Sequence, residues 1–360
     1  MLNGIRIIEI EGIGPGPFAG MTLADLGAEV IVVQRGGDAG GTGGGRPPLT
    51  RGKRTIELDL KDPGDVAVLK ALIATADGLI EGFRPGVMER LGLGPAECQA
   101  IRPALVYGRM TGWGQAGPMS HQAGHDLNYI SLSGALWYAS PPGETPFPPP
   151  TLVGDIGGGA LYLVIGLLAG IMEARQTGKG RVVDAAIVDG SAHMMNLLLS
   201  LASTGNLSPE RGQSRLDGPH YSRTYRCADG GFMTVQCLEP KFYAEFRDLM
   251  GIAGDAFFDD QNDRASWPEQ TARLAEMFAA EPRAHWETVF AGSDACCAPV
   301  LTPQEAAAHP HIQARGVFRA NGEGLQAVAA PRFSGYDPEP RPAPSRGQHS
   351  AEIRAELGFD

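Results

Sequence analysis

One imidazole and two carboxylates stand among glycines in a stretch otherwise poor in charge. They occur in Gly124-His125-Asp126-Leu127 and in Val153-Gly154-Asp155-Ile156-Gly157-Gly158-Gly159. Of the side chains in this sequence, these are the best suited to moving protons. Histidine's unperturbed pKa lies nearest neutrality, and a carboxylate matches it once burial raises its own. Asp126 and Asp155 also each precede runs of helix-compatible residues, so either could equally cap a helix. The two roles are compatible.

The elements that must position these groups begin with an alternating strand at Ile5-Arg6-Ile7-Ile8-Glu9-Ile10. Gly12-Ile13-Gly14-Pro15-Gly16-Pro17 makes a glycine-rich turn, a helix follows to Gly27, and Glu29-Val30-Ile31-Val32-Val33 is the next strand. That is a βαβ unit with a parallel strand pair. The turn falls short of a dinucleotide fingerprint. Pro17 takes the third glycine's place, and Arg35 stands where a ribose-binding acid belongs. A nicotinamide cofactor is therefore not expected. Strands at Thr55-Ile56-Glu57-Leu58, Gly78-Leu79-Ile80-Glu81 and Leu105-Val106-Tyr107, with a helix opened by Asp62-Pro63, continue the α/β pattern. The loop Gly82-Phe83-Arg84-Pro85-Gly86 then lies at a strand's carboxyl end, where open α/β sheets bind ligands. Arg35, Arg46 and Arg51-Gly52-Lys53-Arg54 gather positive charge, which reads either as a solvated basic face or as a phosphate site.

After Asp155 come two apolar helices, over about 159–175 and 186–202. His193 in the second reads as a satisfied core residue. A hairpin signal at Ala228-Asp229-Gly230-Gly231 opens a second domain with helices after it. A chain of 360 residues exceeds the roughly 250–300 at which single cores stop growing. The expected division is a large α/β domain over 1–184, a linker over 185–224, a smaller α+β domain over 225–314, a linker over 315–330, and a C-terminal return to the large domain over 331–360.

The formal net charge of −11 argues against nucleic acid or an anionic membrane as partner. The longest uncharged run, Ile156 to Met172, approaches the minimum for a membrane span. It holds several glycines and is flanked by Asp155 and Glu173, so a buried core helix is the better reading. The five cysteines form no disulfide framework, which points to a reducing compartment and to buried small side chains. Cys296-Cys297 lacks metal-ligand spacing, and no metal site is expected. No signal peptide precedes the first strand, and a cytoplasmic location follows.

Several pieces in this order resemble the α-methylacyl-CoA racemases within the class III CoA-transferases. They are the Gly12-to-Pro17 turn, Asp59-Leu60-Lys61, Glu81-Gly82-Phe83-Arg84-Pro85-Gly86, Met110-Thr111-Gly112-Trp113-Gly114-Gln115, Ala123-Gly124-His125-Asp126, Gly154-Asp155 and Leu238-Glu239-Pro240. The resemblance implies a Rossmann-like large domain, a smaller domain, and two chains interlocked as a homodimer that shares its active sites between subunits. It implies His125 and Asp155 as the acid/base pair and Glu239 as the group that orients His125. Asp126 falls where the transferases carry a nucleophilic aspartate; in the racemases the backbone there helps hold the thioester oxygen. Implied coenzyme A contacts are Arg35, Leu58, Asp59, Leu60, Lys61, Gly82, Phe83, Arg84, Arg90, Gly124, Leu127, Asn128 and Tyr129. Coenzyme A enters as part of the acyl-CoA substrate, with no separate cofactor. The loop from Gly36 to Pro48 is unusually glycine-rich for such a protein, which leaves its grip on the nucleotide end open.

The chemistry implied is removal and return of the proton beside the thioester, through an enolate. The alternative is transfer of CoA between carboxylic acids through a covalent adduct on Asp126. A third reading is an idle acyl-CoA-binding protein.

Overall fold

The computed structural model describes residues 1–36, 48–321, 324–338 and 341–359. Its contacts divide the chain into two units. The first comprises Met1–Leu136, Pro149–Met194 and Gly316–Asp360, and is built on a six-stranded sheet. The strands are β1 (Arg6–Ile10), β2 (Glu29–Gln34), β3 (Arg54–Glu57), β4 (Gly78–Glu81), β5 (Val106–Thr111) and β6 (Val182–Ala186). They are all parallel, in the order β3-β2-β1-β4-β5-β6. Alternation along β1 explains the layering, because successive side chains point to opposite faces. Ile7 packs with Leu23, Val106, Leu163 and Leu167 on one side. Ile8 packs with Ile31, Leu69, Leu79 and Tyr107 on the other.

Helices α1 (Pro15–Asp25), α2 (Pro63–Ala74), α3 (Val87–Arg90), α4 (Pro95–Ile101) and α5 (Asp126–Leu132) connect the strands. They are followed by α6 (Leu161–Thr177) and, after β6, α7 (Ile187–Met194). The strand order turns back between β1 and β4. Such a reversal opens a crevice at the carboxyl ends of the strands. The apolar run 159–175 is not helical from its start. A π-helical segment, Leu152–Ala160, precedes α6 and carries Asp155. Together they form a run, Leu152–Thr177, long and apolar enough to cross a bilayer. Within it Leu163, Val164, Leu167 and Ile171 are buried against the sheet.

The second unit comprises Trp137–Pro148 and Met195–Arg315. It holds α8 (Asn196–Ser200), the antiparallel strands β7 (Ser222–Arg226), β8 (Phe232–Gln236) and β9 (Cys297–Pro299), and helices α9 (Pro240–Leu249), α10 (Trp267–Ala279), α11 (Arg283–Val289), α12 (Pro303–Ala308) and α13 (Pro310–Ala314). Its core is aromatic, centred on Tyr225, Phe246, Phe258, Phe278 and Trp286. The 228–231 turn joins β7 to β8 as read from the sequence.

The chain returns to the first unit through β10 (Phe318–Asn321), β11 (Gly324–Ala327) and α14 (Ser350–Glu356). Ile353 enters the sheet core there, and Arg354 pairs with Asp65.

Several expectations need correction. The stretch 185–224 is not free linker. It supplies the end of an edge strand and α7 to the first unit, and Ser208 to Asp217 to a bonded turn in the second. The expected helix over 186–202 breaks after Met194. His193 is exposed rather than in the core, with Nδ1 2.7 Å from the Tyr162 hydroxyl. Cys296 is exposed rather than buried. The loop from Gly36 to Pro48 falls almost wholly outside the described residues, and with it Arg46.

Candidate active site

Three of the four proton-handling candidates meet in the first unit. His125 is the N-cap of α5, with extended backbone (φ −137°, ψ 175°) and an exposed ring. Its backbone N–H donates to Asn128 Oδ1 at 3.1 Å. Asp126, the first helical residue, is buried, and its carboxylate does not cap α5. It reaches 28 and 29 residues along the chain instead. There Oδ1 accepts from the N–H groups of Gly154 and Asp155, each at 2.8 Å. Asp126 thus satisfies two of the orphan amides at the start of the π-helical segment. Asp155 is held in that segment's first turn rather than capping it.

The glycines explain the close approach. A Cβ at Gly154 would stand 2.5 Å from Asp126 Oδ1 and 2.8 Å from Ile130 Cγ2. On the other side lies Gly14, the N-cap of α1 at φ +66°, where a Cβ would sit 3.7 Å from Asp155 Oδ2. The Gly12-to-Pro17 turn, which fails as a dinucleotide fingerprint, therefore walls the Asp155 carboxylate. Thr151 enters the segment at φ +59°, a region costly for a β-branched residue.

Partial burial pushes the Asp155 carboxyl up to about 6, the nearby Asp126 charge adds to this, and His125 opposes it. A group titrating there can both give and take a proton near neutrality. Tyr129 backs the site. Its hydroxyl donates to Gly124 O, and its ring meets Trp113 edge-on at 4.7 Å.

Glu239 belongs to the second unit, where it is exposed and is the N-cap of α9. Among the described residues its carboxylate makes no hydrogen bond or ion pair.

The residues matched to coenzyme A contacts form two groups. Arg35, Leu58, Asp59, Leu60, Lys61 and Phe83 line one cavity of about 330 Å³ at the carboxyl ends of the strands. Gly82, Arg84 and Arg90 are exposed on the loop and helix after β4, and Leu127 and Asn128 on the first turn of α5. Gly124 and Tyr129 are joined by the bond described above.

Sequence reasoning missed what fixes the 82–86 loop. The buried Glu81 accepts from Phe83 N–H at 2.7 Å through Oε2 and from Arg109 Nε at 2.9 Å through Oε1. Arg109 continues to Glu89 at 2.8 Å. The available signal was register: Glu81 and Arg109 end up opposite each other on β4 and β5.

The cluster Arg51-Gly52-Lys53-Arg54 is not a phosphate site. Arg51 pairs with Asp25, Lys53 with the buried Glu9, and Arg54 with Glu29, Glu352 and Glu356. Among the described residues no group of His, Cys, Asp and Glu is arranged to hold a metal.

Known proteins resemble this chain over its whole length. The alpha-methylacyl-CoA racemase of Mus musculus is 42% identical, covering 100% of this chain and 94% of the relative. The alpha-methylacyl-CoA racemase of Homo sapiens is 39% identical over 99% of this chain and 94% of its own. Acetyl-CoA:oxalate CoA-transferase of Acetobacter aceti is 31% identical over 99% of this chain and 95% of the relative. The crystal structure of a CAIB/BAIF family protein from Brucella suis superposes with a TM-score of 0.81 at 27% identity, covering 98% of both chains. The profile of CoA-transferase family III matches residues 2–350, and the chain belongs to that family.

Proposed function

We propose that the protein is an isomerase that racemises 2-methylacyl-CoA thioesters by removing and returning the proton beside the thioester. The observation that carries this reading is an exposed imidazole, His125 at the N-cap of α5, near enough to act on the desolvated carboxyl of Asp155, which is raised to about 6. Two chemically distinct proton-handling groups suit delivery and removal on opposite faces of one carbon. The whole-length identity to two alpha-methylacyl-CoA racemases supports the same reading.

In this scheme one of the pair takes the proton and the electrons move onto the thioester oxygen. The other then protonates the opposite face. The Asp126 amide at the start of α5 supplies a donor to the enolate oxygen. Coenzyme A lies along the Rossmann-like crevice, in the cavity of Arg35, Leu58 to Lys61 and Phe83, with Gly82, Arg84, Arg90, Leu127 and Asn128 at its edges. CoA arrives and leaves as part of the substrate, and no separate cofactor takes part.

A second copy of the chain supplies Glu239 to orient His125, in an interlocked homodimer. The exposed apolar side chains Leu161, Ile165 and Met172 on α6, and Leu197 on α8, favour a covered surface of this kind. A cytoplasmic location fits the five free thiols.

The competing reading is CoA transfer through an adduct on Asp126. Its Oδ1 is already held by two amides, which favours a structural role for this carboxylate. Purified protein is incubated with (2R)-2-methylacyl-CoA in deuterium oxide. Deuterium uptake with loss of optical purity is the expected result. An unchanged thioester that yields new acyl-CoA once a free carboxylic acid is added would overturn it.

A further inference from the structure

The backbone that presents Glu239 is clamped from three sides, although its carboxylate is exposed. Gln261, 7% exposed, donates through Nε2 to Cys237 O at 2.9 Å and to Leu238 O at 3.4 Å. Arg215 Nη2 donates to the same Leu238 O at 3.3 Å. The Glu239 carbonyl accepts from Tyr243 N–H at 3.0 Å. Tyr243 is fixed in turn: its hydroxyl lies 2.8 Å from His220 Nε2 and 3.0 Å from Phe258 O. Gln261 is itself held, since its backbone carbonyl accepts from Trp267 Nε1 at 3.0 Å.

Three successive carbonyls, at 237, 238 and 239, are therefore bonded immediately behind one unpaired carboxylate. The bond to the buried Cys237 carbonyl serves stability, and the one to Glu239 O is the first intrahelical bond of α9. Leu238 is only half-buried, where water can satisfy a carbonyl, yet its oxygen takes two side-chain donors, Gln261 and Arg215. Stability alone does not call for that doubled hold. A side chain that must meet the His125 imidazole within hydrogen-bond distance does call for it. Misplacement by about 1 Å can cost on the order of 100-fold in rate.

We infer that Gln261, seconded by Arg215, is a positioning residue that sets the Glu239 carboxylate for its contact with His125. This rests on the proposed role of Glu239. Gln261 touches no reacting atom. It acts by donating to the two carbonyls that fix where Glu239 projects.

The test is a double-mutant cycle on the full-length protein, read as deuterium exchange into 2-methylacyl-CoA. Gln261→Met keeps the length of the side chain and removes its donors. It is expected to lower kcat by about tenfold or more with KM for acyl-CoA within about twofold, because the coenzyme A contacts lie in the other unit. In a Glu239→Gln background the same substitution should then change kcat by less than about twofold, since its effect passes through the carboxylate already removed. Equal losses from Gln261→Met in both backgrounds would overturn the inference. If Glu239→Gln alone leaves exchange intact, the role assigned to Glu239 fails instead, and the two failures are separable.

Should Gln261→Met not fold, Arg215 serves as the second probe, being only partly buried. Arg215→Met is expected to lower kcat and Arg215→Lys, which keeps a donor, to restore most of it. Identical kcat in both variants and the parent would count against the clamp.

Discussion

The turn around Asp155 and the edge of the sheet at β3 put charge to opposite uses. At β3 the sequence packs Arg51, Lys53 and Arg54 into four positions, and every one of them is engaged by a carboxylate. Lys53 and Glu9 are almost wholly buried and 2.5 Å apart. Around Asp155 the charges are fewer, and among the described residues Asp126 and Asp155 form no ion pair. Asp126 spends Oδ1 on two amides, and Asp155 is left with a raised proton affinity beside it. A dense run of charge in a sequence is thus no guide to chemistry. Charge compensated by a partner holds the fold together, and charge that is desolvated without compensation is available to react.

The largest effect that sharpens this contrast is expected from Asp155→Asn. Loss of one partner of the proposed pair should lower α-proton exchange by about 10³-fold, within the range for general acid–base groups, while the protein stays folded. Exchange at parental rate in this variant would break the contrast at its active end. The matching break at the other end is Lys53→Met, which strands Glu9 in the core. Removing one member of a buried pair costs about 3–5 kcal/mol, visible as a lower urea midpoint. Glu9→Gln combined with Lys53→Met should recover most of that loss. If Lys53→Met alone is as stable as the parent, the pair does not hold the fold.

The two regions also differ in how much of them could be read in advance. β2 and β4 were legible as short, mostly apolar runs that the sheet buries, and β1 and β3 as short strands rich in β-branched residues bounded by turn residues. β6 was not, since Val182-Val183-Asp184-Ala185-Ala186 is too polar to announce a strand, and only its pairing with β5 makes it one. His125 and Asp155 were legible as residue types. What joins them was not, because the Asp126 bond to Gly154 and Asp155 spans 28 and 29 residues and depends on a π-helical turn that no periodicity encodes. The fate of Arg51, Lys53 and Arg54 was hidden for the same reason: their partners lie as far off as Glu352 and Glu356.

A smaller effect distinguishes the two uses of a carboxylate within the turn itself. Asp126→Asn keeps an oxygen that can accept from the Gly154 and Asp155 amides but removes the charge. Exchange should persist within about tenfold, since the acceptor is retained. The acid limb of its pH profile should move from about 6 toward 3.8, because the Asp126 charge is one cause of the raised value. Asp126→Ala, which removes the acceptor too, should lose more. Complete loss of exchange in Asp126→Asn, with an adduct trapped by hydroxylamine on Asp126 in the parent, would favour the transferase reading.

The smallest effect concerns stability, and its sign separates the two regions most clearly. Asp155 titrates at about 6 in the folded chain against an ordinary value of 3.8. The folded state therefore holds this proton more tightly than the unfolded one, and unfolding releases it between those values. Its contribution is fully present below pH 3.8 and is lost as pH rises through about 6. Asp155→Asn cannot ionise, so it should be more stable than the parent at pH 7.5, by about 1 kcal/mol once solvent access is allowed for. The gain should vanish near pH 4. Urea unfolding of both proteins across this range measures it. A variant that loses its activity and gains stability progressively from about pH 4 to a plateau above about pH 6 is one in which the carboxylate was kept for its chemistry. Equal stability at every pH would mean that the turn solvates Asp155 well enough to leave it an ordinary acid.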